Sequence, residues 1–399
     1  MKPILIAGGG IGGIATALCL RARGVPYALF EQADAFREVG AGIQLSANVM
    51  RILMKLGLGG ALAGIGVMPK GLEVRSWQSG ERILWTPLGY EAERHFGAPY
   101  YHAHRAEILA ALVDLLGNGN VHMRSKITRV DQDEEGASLT LEDGSTHPGE
   151  LVVGAEGIHS VLRDQLFGKS TPRFSGNVAW RGTMPAEAIK NLKLDYLSSN
   201  WWGPGRSLVH YYISGGLTHN WIGVGRSEAP SRESWSATGS VDEALAEYAG
   251  WHPQVLAVIG ATTKLFRMAL YDREPLASWH AGRVVLLGDA AHAMLPYHAQ
   301  GAAQSIEDAY VLAACIAEAR DAPDKAIERY ERLRKDRAEW VQRFSRQAEE
   351  LFNMSDPAKV ARRDSRLREN QRNYPSGFPQ GQQRIYGYDA DAALAGVPA

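Results

Sequence analysis

The 399-residue sequence predicts an α/β protein in which a Rossmann-like domain is interrupted by an inserted antiparallel β-sheet and followed by a helical C-terminus. Three observations predict it. A short apolar strand runs into glycines at 8–13 and then into an apolar helix. A second buried strand, RVVLLGD, recurs at 283–289. Between them, residues 172–274 are dominated by short alternating runs of the kind that form antiparallel strands.

Residues 3–31 make a strand–helix–strand unit, PILIAGGGIGGIATALCLRARG followed by YALFEQ. Gly8 allows a tight turn, Gly10 leaves room for a pyrophosphate against bare backbone, and Gly13 permits close helix-on-strand packing. Ile11 opens the helix, whose free N–H groups and positive dipole end face the phosphates. Glu31, 23 residues after Gly8, ends the second strand, with Gln32 beside it, placed to accept hydrogen bonds from a ribose. An ordinary βα turn explains the glycines alone, but not the ordered strand, glycines, helix, strand and acid.

A helix follows over 48–57, a β-hairpin over 72–86, and a helix over 104–117. Two strand-like runs flank an Asp143–Gly144 turn, and a buried strand covers 150–157. SLVHYYISGG and HNWIGVGRS read as antiparallel strands. The strand at 283–289 leads to a helix at about 301–319, and 325–352 is a long charged helix. Beyond 355 the composition turns basic, then Gly/Pro/Gln-rich, and reads as a loosely packed tail. The expected division is 1–71, 98–171 and 275–320 for the nucleotide domain, 72–97 and 172–274 for the β-rich substrate domain, and 321–399 for the C-terminal helix and tail.

A net charge of -1 argues against nucleic acid as a partner. Cys19 and Cys315 sit in apolar helical patterns and suggest neither a disulfide framework nor a metal site. No apolar stretch reaches the roughly 20 residues of a membrane span, and no signal-peptide core precedes the first strand. A soluble cytoplasmic protein, monomer or homodimer, is the expectation.

The second chemistry-bearing cluster is RVVLLGDAAHAMLPYHAQGAAQSIEDAYVL, in which the strand delivers Asp289 to its carboxyl end, where ligands of open α/β sheets bind. Asp289 there accepts hydrogen bonds from a polyol, or merely caps a helix. A helix begins near Gly301, and its free amides would stabilise an anionic reduced flavin set over them. The third cluster is LVVGAEGIHSVLR at 151–163.

Together the three clusters resemble the single-component FAD-dependent aromatic hydroxylases, the group acting on hydroxybenzoates, salicylate and 6-hydroxynicotinate. The resemblance runs from GGGIGG through Arg105 in HRAEIL and the 154–163 segment to GDAAHAMLP, and on to RIYGYD near the end. It implies that the glycines and Glu31 hold the ADP half of FAD, that Arg105 reaches its phosphate and ribose region, and that Asp289 holds the ribityl chain. Pro296, Gly301, Ala302 and Ala303 would line the flavin ring, with Arg37, Gly42 and Ile43 passing beside it. NADH or NADPH would serve as transient co-substrate, and one atom of O₂ would be transferred as OH to a hydroxylated ring through a C4a-hydroperoxyflavin. The family's usual G-A-D-G is G-A-E-G here, at Glu156, seven residues before Arg163. These two form either a structural salt bridge or part of the coenzyme's site.

The resemblance places the substrate between the β-rich sheet and the loop before the last helix. The relatives' H-x-x-x-Y strand becomes Ser207 and Tyr211, on one face with Val209, whereas His210 faces the other way. Ser207 therefore replaces the histidine expected to deprotonate the phenol. Tyr297 and Gln300 occupy family site positions, and Gln44 lies on the opposite flank. His298 is a replacement base or an exposed loop histidine. Arg181 offers a cation to a carboxylate, and the neighbouring Trp180, Trp201 and Trp202 form an aromatic slot or core packing. The expected reaction is hydroxylation of a small hydroxylated aromatic acid. The rivals are an NAD-dependent dehydrogenase, a non-catalytic FAD-containing binding protein, and epoxidation or urate-type oxidation on the same scaffold.

Overall fold

The computed structural model describes residues 2–36, 41–117, 119–227, 239–373 and 377–397. Among these residues the strands form four sheets. The first contains β1 (Ile4–Ala7), β2 (Tyr27–Phe30), β7 (Val121–His122), β11 (Leu151–Gly154), β17 (His280–Ala281) and β18 (Val284–Leu286), in the order β17-β18-β11-β1-β2-β7. All pairs are parallel except β17–β18 at the edge. Its central strands are buried end to end, as their unbroken apolar runs require of a sheet covered on both faces. The Ile11–Ala22 and Gly301–Glu318 helices supply much of that cover.

The first βα turn is possible only with glycine. Gly8 has φ +102°, and a Cβ added to Gly13 would stand 1.9 Å from the Gly8 carbonyl oxygen. Helix and strand thus touch through bare backbone, as the spacing predicts. Beside this sheet, β8 (Ile127–Asp133), β9 (Gly136–Leu141) and β10 (Thr146–Gly149) form a small antiparallel sheet.

A seven-stranded sheet has the order β16-β12-β15-β14-β13-β4-β5. Its members are β4 (Gly71–Ser76), β5 (Arg82–Pro87), β12 (Arg173–Pro185), β13 (Leu197–Gly203), β14 (Arg206–Ile213), β15 (Thr218–Arg226) and β16 (Lys264–Asp272). Only β13–β4 is parallel. One face buries Trp180, Trp201 and Trp221 against the Val241–Glu247 and Pro253–Gly260 helices. The opposite face looks toward the nucleotide sheet. Between the two lies an antiparallel pair, β3 (Gly42–Leu45) and β6 (Tyr101–His104).

The segment beyond 355 is not a loose tail. Helices span Pro357–Asn373, Gln380–Tyr386 and Ala390–Leu394. Phe378, Ile385 and Tyr386 are buried in the main core, and Arg51 donates to the carbonyls of Tyr386 and Tyr388. A few well-spaced apolar side chains outweigh a polar average, which is why composition misreads this stretch. Cys19 and Cys315 are buried and free.

Candidate active site

A cavity of about 450 Å³ opens where the two large sheets, the β3 segment and the C-terminal helices meet. Two helix N-termini reach it. Gly10, Ile11 and Gly12 bring the start of the Ile11–Ala22 helix, and Gly301 and Ala302 bring the start of the Gly301–Glu318 helix. No side chain caps either end, so their amides are left for an anionic or carbonyl-bearing ligand. Arg105, Asp289, Gly42 and Ile43 complete this half. Asp289 is exposed at the helix start that follows Gly288 (φ +59°), and a Cβ on Gly301 would lie 3.9 Å from its Oδ1.

Glu31 sits at the rim rather than in the wall, where its carboxylate accepts from Gly9 N at 2.6 Å and Ala33 N at 2.8 Å. Gln32 is exposed beside it. Gly8 and Gly13 shape the turn from beneath, and Ala303 is buried in the helix interior, away from the cavity lining. Arg37 lies outside the described residues, as does Gly40.

The turn carrying Asp289 is held by a group that sequence reasoning missed. Asp308 Oδ2 accepts from Gly288 N at 3.0 Å and meets His292 Nε2 at 2.6 Å. Arg334, itself fully buried, donates to Asp308 at 2.9 Å and forms an ion pair with Glu307 at 2.6 Å. Burial alone would raise the Asp308 carboxyl, but His292 and Arg334 hold it down at about 2. Nothing local in the sequence ties Asp308 to Arg334, since their pairing depends on how two helices pack.

The other half of the cavity is the floor of the seven-stranded sheet. Tyr211 is buried there, its ring 4.2 Å from that of His102, and burial pushes its hydroxyl well above the usual phenol range. Gly42 passes directly over it, where a Cβ would come within 2.6 Å of the Tyr211 ring. Asn220 Oδ1 accepts from Gly42 N at 2.8 Å, and the neighbouring Asn220 carboxamide offsets part of the rise that burial gives the Tyr211 hydroxyl. Gln44 accepts from Tyr100 Oη at 2.6 Å. Ser207, Val209 and Arg181 line the same floor, whereas His210 lies on the far face against Trp201 and His219. Trp202 faces the cavity, and Trp180 and Trp201 belong to the core behind the sheet.

Pro296, Tyr297 and His298 line the opposite wall. Tyr297 is bonded to Asn353 Nδ2 at 3.1 Å. The His298 ring stacks on Phe344 with centroids 4.1 Å apart, and burial pushes its pKa down to about 4, so it stands neutral near pH 7. Gln300 is turned away from the cavity. Its Nε2 donates to Ser46 Oγ at 3.0 Å and its Oε1 accepts from Asn48 Nδ2 at 3.1 Å, because the helix start buries it among polar partners.

Glu156 and Arg163 do not pair as the spacing suggests. Glu156 accepts from Ser160 Oγ and Val161 N, and Arg163 donates to the carbonyls of Ala290 and Ala291. The one-turn helical segment between them points the two side chains at different neighbours. Among the described residues no cluster could hold a metal ion, and no helix is long and apolar enough to cross a membrane.

Residues 1–345 match the FAD binding domain family. The chain is 38% identical over 370 residues to the 3-amino-4-hydroxybenzoate 2-monooxygenase of Streptomyces cremeus, covering 92% of each. It is 38% identical over 349 residues to the 6-hydroxynicotinate 3-monooxygenase of Bordetella bronchiseptica, covering 86% of this chain and 91% of that one. Among solved structures it is similar to Klebsiella pneumoniae HpxO complexed with FAD and uric acid, with 27% identity, a TM-score of 0.83, and coverage of 98% and 97%. Neither a nicotinamide dehydrogenase nor a non-catalytic flavin-binding protein is favoured by these relatives. The two uncapped helix ends, the glycine-only turn and Asp289 fit FAD. The chain belongs to the FAD binding domain family and is one of its flavin-dependent aromatic-ring monooxygenases.

Proposed function

We propose that this monooxygenase hydroxylates a small hydroxylated aromatic acid, of hydroxybenzoate or hydroxynicotinate type, with NADH or NADPH and O₂. The observation that carries this is the floor beside the flavin site, where Arg181 and Tyr211 line an otherwise largely apolar space. Bound FAD supplies the oxygen-transfer chemistry, drawing electrons from the nicotinamide coenzyme.

The chain's own residues do the rest. Arg181 pairs with the substrate carboxylate and sets which end of the ring enters first. Tyr211, beside Asn220 and Gln44, meets the ring hydroxyl and stabilises negative charge on it, which raises the ring's nucleophilicity. Ser207, in place of a histidine, hydrogen-bonds without exchanging charge. His298, kept neutral, accepts a hydrogen bond, and Tyr297 with Pro296 closes the wall against water. Asp289 and Arg105 hold the cofactor, while Glu31 and Gln32 serve its ribose end. The protein works in the cytoplasm, as a monomer or homodimer, without nucleic acid or membrane.

The test is NADH and NADPH oxidation by the flavin-loaded protein against a panel of hydroxybenzoates and hydroxynicotinates, with product mass. A gain of one oxygen in the ring of one such acid is the expected result. Coenzyme oxidation that ignores every acid in the panel overturns the reading.

A further inference from the structure

The strand register arranges the cavity floor in rows. One row crosses five adjacent contacts of the sheet: Arg181 pairs with Ile222, Ile222 with Val209, Val209 with Asn200, Asn200 with Val74, and Val74 with Leu84. All six line the same cavity. With neighbouring strands roughly 4.8 Å apart, the path along the sheet from Arg181 to Val74 is about 19 Å. A single ring bearing a carboxylate and a hydroxyl spans less than half of it.

The row is also graded. It has a cation at the β12 end, the Asn200 amide in the middle, tied to the carbonyls of Glu73 and Ser198, and only hydrocarbon at the β4–β5 end. The apolar end is walled rather than open. Trp202 lies beside it with its ring stacked on Phe352 at 4.4 Å, and Leu351 and Leu367 of the C-terminal helices line the same end of the cavity and belong to the same apolar cluster as Val74 and Leu84. Water in such a slot finds few hydrogen-bond partners, so an apolar occupant is favoured over solvent.

We infer that the substrate is an aromatic acid carrying an apolar arm, alkyl or aryl, on the side of the ring away from its carboxylate. The acid meets Arg181, the ring lies near Tyr211 and Val209, and the arm runs past Asn200 between Val74 and Leu84 on one side and Phe352 and Leu367 on the other. This rests on the aromatic-acid reading above and names the substrate class within it.

The experiment is ligand binding to the oxidised, flavin-loaded protein, read from the change in flavin absorbance or fluorescence so that turnover is not required. The probes are 4-hydroxybenzoate, 3-butyl-4-hydroxybenzoate and 2-butylphenol, which lacks the acid. The arm-bearing acid is expected to bind about tenfold or more tighter than the unsubstituted acid, and tighter than the phenol. In Val74→Phe and, separately, Leu367→Trp, which fill the slot from opposite sides, that preference is expected to fall to about one. An arm-bearing acid that binds no tighter than 4-hydroxybenzoate overturns the arm while leaving the aromatic-acid reading standing. A preference that survives both substitutions overturns the slot. Failure of every acid to perturb the flavin overturns both readings together.

Discussion

The two halves of the cavity are built from different materials. The flavin half is mostly backbone: bare glycines, two uncapped helix ends and a turn held from behind. The sheet half is mostly side chains, drawn from six strands and aligned by their pairing. Backbone cradles tolerate almost no added atom, whereas a side-chain floor can be redrawn residue by residue. One half therefore fixes the chemistry, and the other is free to set which molecule receives it.

The sharpest way to break this contrast is at Gly13. Gly13→Val drives side-chain carbon into the Gly8 carbonyl and costs about 3 kcal/mol or more. The purified protein is expected colourless or insoluble, judged by visible absorbance per unit protein. Full flavin content in that variant contradicts the idea of a backbone-only cradle.

Acid separates the halves next. Burial lowers His102 and His210 to about 3, and His219 is also pushed well below the ordinary imidazole range, all around the sheet floor. Above roughly pH 6.5 these groups are neutral in both states and the fold keeps its full stability. As pH falls below that, the unfolded chain takes protons that the native sheet refuses. Stability declines by up to ~1.4 kcal/mol per pH unit for each histidine, toward pH 3. Tryptophan fluorescence, to which Trp180, Trp201 and Trp221 behind the sheet contribute, should therefore change at higher pH than flavin release does. Simultaneous transitions would show that the halves do not open separately.

Arg181→Met tests the floor with the cradle left intact. Loss of a charge-assisted contact of roughly 1.5–3 kcal/mol weakens aromatic-acid binding about tenfold to a hundredfold, with flavin content equal to wild type. Binding that is unchanged for carboxylates and phenols alike removes Arg181 from the substrate's path. The smallest effect belongs to Tyr211→Phe, which deletes one hydroxyl. It should lower product formed per coenzyme oxidised by roughly two- to tenfold, matching ~0.5–1.5 kcal/mol. An unaltered ratio across several acids argues that the hydroxyl only packs beneath Gly42.

The same contrast explains what could be read from the chain alone. GGGIGG, Glu31 and GDAAH report the cofactor because each is a local device, complete within about 25 residues. Strand alternation also placed Tyr211 and Ser207 on one face and His210 on the other. Alternation cannot say which residue of another strand stands opposite, so Asn220, Asn200 and Val74 went unnoticed. Gln300 was misplaced for a related reason: being next to a site-lining turn does not fix a rotamer, and Ser46 and Asn48 hold it elsewhere. The helical end of the chain was hidden by its polar composition, although Tyr386 reaches the cavity wall.

Asn220 has a mechanical consequence. Its strand neighbours the one bearing Tyr211, and its carboxamide grips the Gly42 amide in the segment flanking the isoalloxazine position. Pushing on the sheet from the ligand side therefore tugs on that flank through a single rigid amide. The sheet floor and the Gly42 segment on the cavity wall are thus tied to each other by one carboxamide.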